Sequence, residues 1–172
     1  EGYLFPDTYI IGINSTPREV ICVMLDRFEQ VKSNLPENKS GLSEQEMIIL
    51  ASLVEAEAKL DSERATIASV YINRLKEGMP LQCDATVIYA LPERKDVVLY
   101  SDLEIDSPYN TYKYKDLPPT PICSPGLKSL QAACQPAETD YLYYLWSKDE
   151  KTGHVFASSY NEHLKNRKKY GY

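Results

Sequence analysis

The chain predicts an α+β fold: a helical body with a small antiparallel β-sheet. Three observations lead there. Capping boxes of the form Ser/Thr-x-x-Glu occur at Thr16, Ser43 and Ser159, each just before a helix-forming run. Apolar residues recur at helical spacing through the middle of the chain. Near the C-terminus two short aromatic runs flank Lys151-Thr152-Gly153, the pattern of a hairpin. At 172 residues and 43% hydrophobic, the chain can bury one core, and no repeat or low-complexity linker divides it.

The elements follow in order. The segment Tyr3–Ile11 reads as a possible third strand. Thr16 caps a helix with Pro17 at its first position and Glu19 at its third, carrying Val20, Met24, Phe28 and Val31 on one side. Ser43-Glu44-Gln45-Glu46 opens a second helix that becomes almost wholly apolar before reaching Glu55. A third starts after Asp61 or Ser62 and runs to Leu75, with a stripe of Ala65, Ala68, Ile72 and Leu75 and Gly78 as stop signal. Short helices are predicted at 84–91, capped by Asp84, and at 125–134, capped by Ser124 with Pro125 first. Tyr141–Trp146 and His154–Ala157 read as strands, and Ser159 opens the last helix. Between these lie the turn-rich stretch 107–112 and the proline-rich stretch 117–126, whose stiffness suits the wall of a groove.

The bulk chemistry removes several function classes. A formal net charge of −6 and a pI near 5.0 argue against nucleic-acid binding. The one basic cluster, Lys165, Arg167, Lys168 and Lys169, reads as the solvated face of a terminal helix. Four cysteines (Cys22, Cys83, Cys123 and Cys134) and two histidines form no zinc-ligand spacing, so no metal is expected, and the cysteine pairing stays open. No phosphate loop or nucleophilic triad is recognisable, and no cofactor is implied. No signal peptide or membrane span is visible; the opening without methionine reads as an excised fragment, any anchor lying upstream. Fourteen tyrosines against three phenylalanines suit a sugar-binding groove, and equally an ordinary core edge.

The chemistry-bearing candidate is Glu55 in Leu50-Ala51-Ser52-Leu53-Val54-Glu55-Ala56-Glu57-Ala58. A carboxyl group in apolar surroundings is harder to ionise and can serve as a general acid. The plain alternative is a surface glutamate paired with Lys59. Glu57 points about 200° away on the same helix, so the two cannot converge on one bond. Glu57 is expected to face the next helix in a structural pair with Arg64. Asp84 reads first as a helix cap and Asp7 as a turn residue.

Taken in order, the run at 50–58, Ala68-Ser69-Val70-Tyr71-Ile72-Asn73-Arg74-Leu75, Met79-Pro80-Leu81-Gln82-Cys83-Asp84-Ala85-Thr86-Val87-Ile88-Tyr89, Ser107-Pro108-Tyr109-Asn110-Thr111-Tyr112 and Leu117-Pro118-Pro119 resemble the YceG-like family, the endolytic murein transglycosylases. The opening Glu1–Tyr9 and Gly153-His154-Val155-Phe156 match it too. The resemblance implies one catalytic domain over 1–172 that cleaves the bond between N-acetylmuramic acid and N-acetylglucosamine without water, leaving 1,6-anhydro ends. It places the catalytic glutamate on Glu55 and the substrate-binding positions on Gln82, Asp84, Thr86, Tyr89, Tyr109, Asn110, Thr111 and Tyr112. Peptidoglycan strands are the implied substrate and peptidoglycan synthases the implied partners. The implied location is the extracytoplasmic face of a bacterial membrane, reached through an anchor and a LysM-like module upstream. Two positions depart from the family pattern: Cys83-Asp84-Ala85 stands where Ser-Asp-Pro is expected, and Thr120 where glycine is expected. A hydrolytic muramidase would need a second carboxylate, for which Asp84 is the candidate. A non-catalytic glycan-binding scaffold would leave Glu55 exposed. The resulting expectation is that Glu55 lies on a groove floor near 82–89 and 109–112, while Glu57 points elsewhere.

Overall fold

The computed structural model describes every residue except 94, 96 and 150. The fold is α+β. Six helices are seen among the described residues: α1 (Pro17–Ser33), α2 (Glu44–Glu57), α3 (Arg64–Lys76), α4 (Asp84–Ala90), α5 (Leu127–Cys134) and α6 (Tyr160–Tyr170). The strands are β1 (Tyr143–Trp146) and β2 (His154–Ala157), antiparallel, with Tyr143 opposite Ala157 and Trp146 opposite His154.

Helix α2 is the axis of the body. Residues 47–54 are buried all round, as expected of a helix apolar on every face. Its start is fixed by the capping box: Ser43 Oγ accepts from the Glu46 amide, and Glu46 reaches back to the Ser43 amide at 2.8 Å. Helices α3 and α5 pack on it, with Ile48, Leu50, Leu53, Ile67, Tyr71 and Leu130 wholly buried between them. Mid-helix Ser52 is kept satisfied: its hydroxyl donates to Ile49 O at 2.7 Å and accepts from the Ile122 amide at 3.1 Å, tying the proline-rich stretch to α2.

The remaining helices refine the predicted boundaries. A 3-10 turn at Asp61–Glu63 precedes α3, and Gly78 ends the run in the left-handed region (φ 62°). Helix α4 is capped by Cys83 without a side-chain bond, so Asp84 is the first helical residue rather than the cap. Helix α5 starts two residues later than predicted, after Gly126. Helix α1 has a complete capping box at Thr16 but buries only Phe28 and Val31. The predicted third strand does not form. Residues 3–11 have no ladder partner, and Tyr3 instead packs edge-on against Phe28 at 5.2 Å. Helix α6 lies on the hairpin, where Tyr143 stacks on His163 at 5.3 Å; its four basic residues, Lys165, Arg167, Lys168 and Lys169, are exposed. All four cysteines are free thiols. No described helix is long and apolar enough to cross a membrane.

Candidate active site

The two glutamates at the end of α2 diverge, as the helical repeat requires, and their surroundings are the reverse of those expected. Glu55 faces α5. Its Oε2 accepts from Ser129 Oγ at 2.7 Å, from the Gly126 amide at the start of α5 at 3.1 Å, and from Arg64 Nη1 at 3.4 Å. Arg64 Nη1 also donates to Ser129 Oγ at 2.6 Å, and its Nε to Asp61 at 2.9 Å. Glu55 is therefore one corner of a polar clamp joining α2, α3 and α5. Its side chain is 33% exposed, and an N–H, an O–H and a guanidinium complement it. The expected pairing of Glu57 with Arg64 is thus replaced by Glu55 with Arg64, because Arg64 follows the 3-10 turn onto the α5 side of α2.

Glu57 faces the other way, toward α4 and the hairpin. Its Oε1 accepts from Cys83 Sγ at 3.3 Å and its Oε2 from the Tyr144 hydroxyl at 3.2 Å. Tyr144 is in turn bonded to the buried Tyr71 hydroxyl at 2.8 Å. Both contacts on Glu57 are neutral groups. Burial pushes the Cys83 thiol and the Tyr144 phenol well above their ordinary pKa values, which keeps them as donors. Burial likewise pushes the Glu57 carboxyl up; the neighbouring Asp84 charge adds to this, while the Cys83 and Tyr144 bonds and His154 oppose it. Glu57 is also the last residue of α2, where the negative helix end disfavours a carboxylate, and no basic residue occupies that last turn. No ion pair among the described residues includes Glu57.

Two cavities meet at this carboxyl. One, about 410 Å³, is lined by Gln82, Tyr112, Tyr143 and Tyr144, with Arg74 and α6 behind them. The other, about 780 Å³, is lined by Ile88, Tyr89, Lys59, Lys95, Cys123 and His154. Glu57 and Asp84 are the two residues common to both. The groove thus continues to either side of a pair of carboxyl groups. A third cavity lies beyond α3, but its Ser69, Asn73 and Thr139 side chains are bonded to one another and to backbone.

The floor of the groove is organised by Arg74. Its side chain is buried and has carbonyl rather than carboxylate partners: Leu142 O at 2.6 Å, Leu81 O at 2.9 Å and Pro80 O at 3.1 Å, with Gln82 Oε1 at 3.2 Å. It also lies over the Tyr143 ring at 5.3 Å. This hub joins α3, the 80–82 turn and β1. The turn holds Gln82 at φ 53°, a left-handed conformation unusual for a side chain larger than asparagine and typical of functional turns. Gln82 is exposed while Leu81 and Cys83 on either side are buried.

The other predicted binding residues divide into two groups. Tyr112 lines the smaller cavity, with its hydroxyl on Asp84 Oδ1, and Tyr89 lines the larger. Tyr109 packs against Tyr89 at 4.9 Å with its hydroxyl on Thr120, bordering the groove rather than lining it. Thr86, Asn110 and Thr111 are buried beneath it, and the expectation that they face substrate is corrected. Asn110 Nδ2 donates to Leu103 O and Ile105 O, and its Oδ1 accepts from the Tyr112 amide. Thr111 Oγ1 accepts from the Cys83 amide and pairs with Thr86 Oγ1. Their groups are used in shaping the loops that present Tyr112 and Cys83. Sequence reasoning missed Tyr144, Arg74, His154 and the Cys83 contact. The alternation of Tyr143-Tyr144 on β1 was the available signal for Tyr144. No metal-ligating cluster occurs among the described residues.

With this geometry in place, the comparisons are specific. Residues 1–169 match the model of the YceG-like family. The chain is 46% identical over 175 residues to a Bacillus subtilis (strain 168) protein named endolytic murein transglycosylase, covering 99% of this chain and 48% of that protein. It is 35% identical over 176 residues to a Streptococcus pneumoniae (strain D39) protein of the same name, covering 96% and 31%. A 2.6 Å crystal structure of a yceG-like protein from Listeria monocytogenes superposes with a TM-score of 0.83 at 40% identity, over 95% of this chain and 53% of that one. The chain thus spans about half the length of the Bacillus relative and about a third of the Streptococcus one.

Proposed function

The chain belongs to the YceG-like family, and on that premise we propose that it is the catalytic part of a lytic transglycosylase acting on peptidoglycan glycan strands, with Glu57 as its acid and base. The relatives' printed name supports the reaction class. The observation that carries the residue assignment is the Glu57 carboxyl itself: desolvated, free of any ion pair among the described residues, and standing where two cavities meet. Glu55 is then a structural clamp, although sequence reasoning placed the acid there.

The chemistry needs one carboxyl group. Protonated Glu57 gives its proton to the departing glycosidic oxygen, and an oxocarbenium-like centre forms at C1 of the muramic acid. The resulting carboxylate, with Cys83 and Tyr144 as donors, takes the proton from the C6 hydroxyl as that oxygen attacks C1. The attacking group belongs to the substrate, so its effective molarity exceeds that of water. Asp84, held by Tyr112, supplies negative charge opposite the developing cation. Cavities on both sides of the acid suit bonds inside a strand rather than at its end. In the full-length protein we place this domain outside the cytoplasmic membrane, where its substrate is, with peptidoglycan synthases as working partners.

Asp84 also keeps a second reading open, since it shares both cavities with Glu57 and could activate water. Digestion of glycan strands in ¹⁸O-labelled water separates the two. Transglycosylation gives 1,6-anhydro ends carrying no label. Labelled reducing ends would replace it with hydrolysis.

A further inference from the structure

His154 begins β2, and its side chain is 6% exposed. Its Nδ1 stands 2.8 Å from Glu63 Oε1, and its backbone amide donates to Glu63 Oε2 at 2.9 Å. Glu63 also accepts from the Lys59 and Leu60 amides at 2.8 and 3.0 Å. A buried carboxyl with N–H groups on both oxygens is a carboxylate, and these bonds hold it below the ordinary glutamate range against the opposing effect of burial. A carboxylate can only accept, so Nδ1 carries the hydrogen, and in the neutral form of the ring the Nε2 lone pair is then left over. The turn is built for this contact. Gly153 has φ 68°, and a Cβ there would stand 2.6 Å from Glu63 Oε2.

Nε2 has no hydrogen-bond partner among the described residues, yet it is not a sealed atom: the one buried, unpartnered side-chain nitrogen or oxygen among them is His163 Nδ1. Nε2 therefore opens outward, and the space His154 borders is the larger cavity beside Glu57 and Asp84. The ring cannot swing away, wedged edge-on against Tyr144 at 5.3 Å and Trp146 at 5.2 Å. A nine-tenths-buried imidazole with one nitrogen locked on a carboxylate and the other unsealed, in a residue that borders a cavity, is preorganised to bind.

We propose that His154 is a substrate-contacting residue, its Nε2 accepting a hydrogen bond from an N–H or O–H group of the aminosugar beside the scissile bond, with Glu63 as its positioning residue. The inference rests on the reading that this groove holds glycan. An acetamido N–H and a sugar hydroxyl are both suitable donors.

The test is ¹⁵N NMR of the histidine rings, titrated with N-acetylated chito-oligosaccharide and, separately, with cello-oligosaccharide, which has the same backbone and a hydroxyl at C2. The free chain should show His154 as the Nδ1–H tautomer, and Glu63→Gln should lose that signature. Nε2 should move on binding. Movement with the N-acetylated sugar alone identifies the acetamido donor; movement with both identifies a hydroxyl. If the Tyr112 and Asp84 signals move while Nε2 does not, the His154 assignment is overturned and the glycan groove stands. If nothing in the groove moves, both fall. His154→Asn, which places an amide nitrogen near Nδ1 and nothing at Nε2, should fold and raise KM for glycan strands about fivefold to tenfold, the loss of one hydrogen bond, with kcat within about twofold. An unchanged KM in the folded variant overturns the proposal, and this arm stands even if Glu63→Gln fails to fold.

Discussion

Arg74→Met should destabilise the domain by about 3–5 kcal/mol. Arg74 is 7% exposed, and the four contacts of its guanidinium, at 2.6 to 3.2 Å, include three backbone carbonyls. Each hydrogen bond to a charged donor is worth about 1.5–3 kcal/mol when only one partner is removed. The four do not add, because Gln82 is exposed and regains water, and because deleting a buried cation also removes its own desolvation penalty. Leu81 O is the contact least able to find a replacement, since Leu81 is 2% exposed. The methionine keeps most of the stem packing, so the loss reports the polar hub. Thermal unfolding is the assay: at this size each kcal/mol moves Tm by about 2–4 °C, so a fall of at least about 6 °C is expected. Arg74→Lys, with a single ammonium in place of the fork, should fall between the two. A fall under about 2 °C for Arg74→Met would refute the argument that this hub holds the 80–82 turn.

Three further outcomes follow from the same contacts. Because burial raises the Glu57 carboxyl pKa in the folded state, the wild type loses stability as pH rises from the unfolded value through the folded one; Glu57→Gln does not titrate, so its Tm advantage over the wild type should grow as pH rises above the ordinary glutamate range and level off once the folded carboxyl has ionised, and a gap constant from acid to neutral pH would count against it. Cys83→Ser puts a stronger donor on Glu57 Oε1, favouring the carboxylate, so the basic limb of the pH–rate profile should move down by about half a pH unit; Cys83→Ala should move it up, and the opposite order would remove Cys83 from the acid's environment. Asn110→Ala deletes three hydrogen bonds at a wholly buried position and should cost about 2–4 kcal/mol by urea unfolding; a selective rise in KM without loss of stability would return Asn110 to the substrate.

Local signals carried much of the fold. The boxes at Thr16 and Ser43 and the stop at Gly78 are decided by neighbours three or four residues away and formed where expected; the hairpin, whose partners lie 8 to 14 residues apart, formed with its first strand beginning at Tyr143 rather than Tyr141. Tyr3–Ile11 looks like a strand locally but pairs with neither strand of the hairpin; it runs beside α1 instead, with Tyr3 on Phe28. The choice between Glu55 and Glu57 was beyond local reach. Helical geometry fixed that they diverge, but what each meets comes from far along the chain: Ser129 lies 74 residues from Glu55 and Tyr144 lies 87 from Glu57. One signal was present in the sequence: Glu57 ends the apolar run, at the negative end of the helix, with no basic residue in the last turn. The departure from the family pattern at Cys83 places a thiol on the carboxyl of Glu57, a contact that no local pattern shows.

The most direct test compares Glu57→Gln with Glu55→Gln in release of 1,6-anhydro ends from glycan strands, each variant first shown to fold. Glutamine keeps the size of each side chain and removes its titratable proton. The account predicts that Glu57→Gln loses at least about 100-fold in rate, the lower range for a missing general acid. Glu55→Gln should keep at least about a tenth of wild-type activity while losing some stability, because its clamp to Ser129, Gly126 and Arg64 is weakened. The reverse result, with Glu55→Gln inactive and Glu57→Gln near wild type, would contradict the assignment of the acid to Glu57.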